Sequence, residues 1–250
     1  MNNEATIPLR PGERIDDLQL SGLKIIQSPD AFRFGMDAVL LADFARVRAG
    51  AHVCDLGTGT GILPLLLYGR AERVTCDAVE IQPDAADRAR RSMALNGLSQ
   101  AIRVYLGDLR RVREFLPHAA YDLVICNPPY NTEKASLPSP VPALRGARQE
   151  ALCTLSDAAA AAAWLLRGHA RFSLMLPAAR LADTLETLRQ HRLEPKRLRL
   201  VHATEKRPAR LALIESMLDV HPGLIVEAPL IVKDAQGQDT EEIRRIYHLA

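Results

Sequence analysis

From Ala51 onward the apolar positions come in short unbroken runs of strand length, each followed by a stretch whose apolar residues recur at helical spacing. That alternation predicts a parallel sheet wrapped by helices, since strands buried on both faces need helical crossovers between them. "HVCDLG" (His52–Gly57) reads as the first strand, with a helix over Thr60–Gly69 behind it. "RVTCDAVE" (Arg73–Glu80) is the second, followed by a helix over Pro83–Gly97 that has proline in its first turn and Asn96-Gly97 as its stop signal. "IRVYLGD" and "YDLVICN" supply a third and a fourth strand. Ser156 is expected to cap an alanine-rich helix that runs to Arg167 and ends at Gly168. "ARFSLMLP" then reads as a fifth strand and "AARLADTLETLRQHRL" as an amphipathic helix. "KRLRLVHA", "RLALIESMLDV" and "GLIVEAPLIVKD" predict further β structure of antiparallel character, because no helix-length segment separates them. "DTEEIRRIY" predicts a short capped helix.

Before Ala51 the pattern changes. "IDDLQLSGLKIIQ" predicts a hairpin turning at Ser21-Gly22. "FRFGMDAVLLADFARV" has apolar residues at Val39, Leu40, Leu41, Phe44 and Val47, close to the helical period. Residues 1–50 are expected to form an N-terminal hairpin and helix cap within one domain, with residues 51–250 as its main body.

Composition narrows the class. In a chain of 250 residues, 48% are hydrophobic and 25% charged, which suits a folded globular protein and excludes a disordered one. No apolar run reaches the roughly 20 residues of a membrane span, and the opening segment has no apolar core of a secretory signal. A cytoplasmic protein with no membrane association is therefore expected. Of the four cysteines, Cys54, Cys76 and Cys126 fall in strand-like runs as small buried hydrophobes, and no CxxC pair suggests a metal site. The formal net charge of +2 neither demands nor excludes a nucleic-acid partner. No exposed heptad is present, and the oligomeric state stays open.

The chemistry concentrates at strand ends. "VCDLGTGTG" places Gly57, Gly59 and Gly61 where the first strand turns into a helix, and glycine there leaves room for a ligand to approach exposed amides. The dinucleotide pattern GxGxxG is not met, because Ile62 stands where its third glycine falls. Asp55 precedes the turn, Glu80 ends the second strand where an acid can hold ribose hydroxyls, and Asp108 follows the third. Polar groups at the carboxyl ends of consecutive parallel strands mark the edge where open α/β sheets bind ligands. At this point the chain resembles the S-adenosylmethionine-dependent methyltransferases of the Rossmann-like class I fold, an α/β architecture with a mostly parallel, seven-stranded-type sheet flanked by helices. The resemblance implies that Gly57, Gly59 and Gly61 face the methionine portion of the cofactor. It also puts Asp55 near the ammonium group, Glu80 on the ribose and Asp108 on the adenine.

"NPPY" (Asn127–Tyr130) closes the fourth strand. An exocyclic or amide nitrogen is a poor nucleophile because its lone pair is delocalised. Two acceptors about 3 Å from its hydrogens hold it in line for attack and favour a pyramidal geometry. The Asn127 side-chain carbonyl and the Pro128 backbone carbonyl can be those acceptors, Pro128 and Pro129 stiffen the loop, and Tyr130 can stack on a planar substrate. The stretch resembles the [DN]PP[YF] signature of methyltransferases acting on adenine N6, guanine N2 or glutamine amides.

"LKIIQSPDAFRFGMDAVLLADF", "ARQE", "KRPARLALIES" and "PLIVKDAQGQDTEEIRRIY" together resemble segments of the bacterial valine-tRNA adenine-N6 methyltransferases. That family implies N6 methylation next to the anticodon and a tRNA partner, with Arg33, Phe34 and Asp37 lining the mouth of the cofactor pocket. Lys134, Arg145 and Arg148, flanking the NPPY loop, are candidate phosphate contacts, with Lys206, Arg207 and Arg210 extending the track. Other acceptors for the same chemistry are guanine N2 in RNA, a protein glutamine or a small molecule. A non-catalytic cofactor-binding subunit is the reading from a different class.

Overall fold

The computed structural model describes residues 7–28, 35–128 and 153–248. Five parallel strands form one half of the sheet: β3 (His52–Leu56), β4 (Thr75–Glu80), β5 (Ile102–Leu106), β6 (Tyr121–Cys126) and β7 (Leu166–Pro177). Their spatial order is β5-β4-β3-β6-β7, so the chain reverses direction across the sheet between β3 and β6. Such a switch point opens a crevice above the strand ends. β8 (Leu193–His202) and β9 (Ala209–Leu218) form a hairpin whose second strand pairs antiparallel with β7.

Two two-residue strands, β10 (Ile225–Val226) and β11 (Leu230–Ile231), complete a nine-stranded sheet on the free edge of β8. They run parallel to β8, which corrects the antiparallel expectation for this segment. The reason is topological: Leu218 at the end of β9 pairs with Leu193 at the start of β8, so the returning chain meets β8 at its beginning and follows its direction.

Helices cover both faces. On one face lie α1 (Met36–Phe44), α2 (Ile62–Arg70), α3 (Pro83–Leu95) and α6 (Glu241–Ile246); on the other lie α4 (Leu155–Leu165), α5 (Leu181–Gln190) and a 3₁₀ segment, Leu109–Glu114. The N-terminal hairpin pairs β1 (Arg14–Asp17) with β2 (Lys24–Gln27) and rests on α3, where the Ile26 amide donates to Ser92 Oγ at 3.0 Å. Glu13 is held by Arg88 and Arg91 of the same helix, and these ion pairs lower its carboxyl to about 2.

The α4 boundaries differ from the sequence expectation at both ends. The cap is Thr154, whose hydroxyl accepts from the Asp157 amide while the Asp157 carboxylate accepts from the Thr154 amide. Ser156 hydrogen-bonds His191 instead, at 2.8 Å. At the other end the carbonyls of Trp164 and Leu165 accept from the Ala119 and Ala120 amides, so the helix needs no glycine cap. The chain turns directly into β7 at Leu166, and Gly168 lies within that strand.

α1 is buried almost all round, and its two ends are anchored differently. At its C-terminal end, Arg171 of β7 donates to the carbonyls of Ala45 and Arg46, and Arg197 of β8 donates to that of Phe44. Cations suit the negative end of a helix, and Glu215 pairs with both guanidiniums. Arg197 also lies over the Phe44 ring, 4.3 Å from its centroid.

Candidate active site

The sequence-predicted residues that are described fall along one edge of the sheet. Leu56 pairs with Cys126 on one side and Val79 on the other, and Glu80 pairs with Leu106. One step past these pairs, Asn127, Gly57, Glu80 and the Gly107-Asp108 turn form a lateral row at the C-terminal ends of β6, β3, β4 and β5. At the usual strand separation of about 4.8 Å this row spans on the order of 15 Å, room for an elongated ligand.

The glycine turn is built from three left-handed residues, with φ of 78° at Gly57, 59° at Gly59 and 86° at Gly61. A Cβ at Gly57 or Gly59 would meet open space, so both border the cleft. At Gly61 a Cβ would lie 2.5 Å from Met93 Cε and 3.3 Å from Ala89 Cβ. The left-handed backbone and the close approach of α3 at Ala89 together favour glycine there, a packing role the sequence reading did not separate from ligand contact.

Asp55 lies beneath this turn, fully buried, and neither carboxylate oxygen has a hydrogen-bond partner among the described residues. Burial pushes its carboxyl up to about 7; the charge of Glu80 adds to this and the Thr58 side chain opposes it. An unpartnered buried carboxylate is costly to ionise by itself and is suited to a cationic group. Glu80 is also buried, and that burial raises its carboxyl above the usual range. Its two oxygens accept from the Gly59 and Gln82 amides, each at 2.8 Å, and so fasten the glycine turn to the end of β4. Asp108 caps the 3₁₀ segment through the Arg110 amide at 2.9 Å and pairs with the Arg110 guanidinium, which holds its carboxyl below the usual range.

Asn127 ends the row. Its Nδ2 donates to Asp37 Oδ2 at 2.8 Å, across a sequence separation of 90 residues. Pro128 follows, half-buried. Arg33, Phe34, Pro129, Tyr130, Lys134, Arg145 and Arg148 lie outside the described residues. The edge therefore carries three acids, Asp55, Glu80 and Asp108, around two ligand-facing glycines, with Asp37 engaged by Asn127 beside them. The open cradle and the orphaned Asp55 carboxylate fit a ligand with an ammonium and a second positive centre, which is the charge pattern of S-adenosylmethionine. Two links were not visible in the sequence, Asp37 to Asn127 and Arg110 to Asp108. The second has a local signal, an Asp two residues before an Arg at a strand end; the first has none.

Comparison with known proteins supports S-adenosylmethionine as the cofactor. The methyltransferase small domain family matches residues 28–167. A Porphyromonas gingivalis protein described as tRNA1(Val) (adenine(37)-N6)-methyltransferase is 32% identical over 233 residues, covering 84% of this chain and 89% of that one. A Tolumonas auensis protein of the same description is 36% identical over 154 residues, an alignment spanning 61% of this chain and 62% of the relative. Among solved structures, a predicted O-methyltransferase from Agrobacterium tumefaciens superposes with a TM-score of 0.71 at 22% identity, over 85% of this chain and 96% of its own, which establishes likeness of fold. With more than half its length matched by the family and a 32% identical relative aligned along most of both chains, this protein belongs to the methyltransferase small domain family and is an S-adenosylmethionine-dependent methyltransferase.

Proposed function

We propose that the protein transfers a methyl group to the exocyclic N6 of an adenine in tRNA, at the position next to the anticodon of a valine tRNA. The observation that carries the N-methylation reading is Asn127, held at the end of β6 beside the glycine turn with its amide nitrogen given to Asp37. That donation turns Oδ1 to the opposite side of the planar amide, where it can accept a hydrogen from an amino group. The Pro128 carbonyl supplies the second acceptor. When bound, S-adenosylmethionine offers an electrophilic methyl group on a cationic sulfur. Asp55 takes the ammonium end, Glu80 has lone pairs left for the ribose hydroxyls, and Asp108 lies where the adenine amino group is expected. With both N6 hydrogens held by Asn127 and Pro128, the lone pair would be in line with the transferable methyl group; forming the N–C bond would break the S–C bond, release S-adenosylhomocysteine and give one N6 proton to solvent.

Two observations support tRNA as the acceptor. The Porphyromonas gingivalis relative, aligned over most of both chains, carries that activity in its description. In addition, Pro177 at the end of β7 pairs with Leu211, so the β8–β9 turn protrudes on the same sheet edge as Asn127. It exposes Lys206 and Arg207, Arg210 is exposed at the start of β9, and among the described residues none of the three is paired with an acid. Unneutralised cations beside an active edge suit a phosphate backbone. No helix among the described residues is long and apolar enough to cross a membrane, and a tRNA substrate fits a cytoplasmic location.

The test is incubation with labelled S-adenosylmethionine and tRNA from a strain lacking the matching activity, followed by nucleoside mass spectrometry. N6-methyladenosine in valine tRNA is the expected product. Label appearing instead in protein, in guanosine or in a small amine would overturn the substrate and leave the donor site standing.

A further inference from the structure

We infer that Asp37 is a positioning residue that locks the orientation of the Asn127 side chain, and that Gly35 exists to admit it. The inference deepens the proposed N-methylation and rests on Asn127 being the acceptor-side group of that reaction.

An asparagine amide has two nearly isosteric orientations, and only one presents oxygen to the reacting amine. A flipped Asn127 turns two N–H donors on an amino group that needs acceptors, which is a dead orientation for catalysis. An ionised carboxylate can only accept hydrogen bonds. With Asp37 Oδ2 at 2.8 Å from Nδ2, the flipped amide would set its carbonyl oxygen against a carboxylate oxygen, a repulsive contact. The two orientations therefore cease to be equivalent, and the productive one is selected before substrate arrives. A charge-assisted donation from Nδ2 also draws electron density toward Oδ1, which strengthens it as an acceptor.

The backbone is arranged for this contact. Asp37 lies in the first turn of α1, where a negative charge is favoured by the helix end. Gly35, the residue before the helix, has φ −103° and ψ −174°, a conformation open to any residue, so its lack of a side chain is not explained by backbone strain. A Cβ built there lies 2.7 Å from Asp37 Oδ1. Any larger residue at position 35 would crowd Oδ1, and the Asp37 side chain would have to shift. Asp43 and Arg70, the other charged side chains of α1 and α2, pair with each other, and Arg70 also donates to the Ile246 carbonyl at the end of α6.

The first readout needs no turnover. In ¹H–¹⁵N spectra of the full chain, the Asn127 side-chain NH₂ pair, assigned by its loss in Asn127→Ala, should be shifted and slow to exchange. Asp37→Ala should abolish both properties and Gly35→Ala should weaken them. S-adenosylhomocysteine should bind these variants within about threefold of the wild type by calorimetry. In turnover with tRNA, Asp37→Ala should lower kcat by about thirtyfold or more, and Asp37→Asn, whose carbonyl can still accept from Nδ2, should recover most of it. In an Asn127→Ala background the Asp37→Ala change should cost nothing further. An Asn127 amide signal unmoved by Asp37→Ala, or a tenfold loss of S-adenosylhomocysteine affinity with unchanged kcat, would overturn the lock and return Asp37 to the cofactor. Normal turnover in Asn127→Ala alone would instead sink the N-methylation reading, and the amide spectrum would still decide the lock. If Asp37→Ala does not fold, the near-isosteric Asp37→Leu carries the same expectations.

Discussion

Glu80 Oε2 accepts the backbone amide of Gly59 at 2.8 Å, so the acid that ends β4 also holds the glycine turn that ends β3. One side chain thus shapes the cleft and presents lone pairs to its ligand. In Glu80→Ala the Gly59 and Gln82 amides lose their partner. Stability should fall by about 1–3 kcal/mol and cofactor affinity by tenfold or more. Glu80→Gln should be intermediate, because its amide nitrogen can serve neither N–H. Thermal melts and calorimetric titration measure the two effects separately.

Asp55 gives the protein a pH signature. Its carboxyl is raised in the fold from 3.8 to about 7, so the folded state holds a proton that the unfolded state has already lost. The stability associated with that proton is present in full below about pH 4 and is lost as pH rises through 7. Glu80 is raised too, by burial, and its charge adds to the rise at Asp55. Asp55→Asn should therefore raise the Tm of the cofactor-free protein at pH 8, with a gain that shrinks as pH is lowered to 5. The same substitution should weaken S-adenosylmethionine binding and remove the proton release that accompanies it below pH 7. A Tm gain that is the same at every pH would count against an orphaned carboxylate.

The three glycines should separate on substitution. Gly61→Ala adds a methyl against Met93 and Ala89 at a left-handed position, and it should destabilise the fold by about 2–3 kcal/mol. Gly57→Ala and Gly59→Ala add theirs to open space. They should cost about 1 kcal/mol of backbone strain and act chiefly by blocking the cofactor. Paired melts and binding curves for the three variants discriminate packing from ligand contact.

Asn127→Ala should leave the cofactor dissociation constant close to wild type and lower turnover by about 100-fold, equivalent to roughly 2.7 kcal/mol of transition-state stabilisation. Single-turnover kinetics with saturating cofactor isolates that step.

Replacing Lys206, Arg207 and Arg210 together by glutamate should weaken tRNA binding and flatten its salt dependence, with no change in S-adenosylhomocysteine affinity. Fluorescence anisotropy at several salt concentrations tests this; an unaltered slope would remove the β8–β9 turn from the RNA surface.

The parts of the fold legible in the sequence were those governed by local patterns. The strand runs at His52, Tyr121 and Ile102, and the Pro83 and Asn96-Gly97 signals of α3, record constraints that neighbouring residues satisfy among themselves. What stayed hidden depended on distant partners. Gly168 reads as a helix stop, yet Ala119 and Ala120 satisfy the carbonyls it would have served. β10 and β11 are too short to carry a periodicity, and their direction follows from where β9 ends. The acids at the strand ends could be found because each follows an apolar run. Their linkages could not: nothing near Asn127 points to Asp37, and nothing near Gly61 points to Met93.

α1 carries Asp37 in its first turn and has its last carbonyls gripped by arginines from β7 and β8. Its nine residues make a buried rod about 13 Å long. One helix thus spans from the reacting edge, which it meets through Asp37, to the strands β7 and β8, which hold its far end through Arg171 and Arg197.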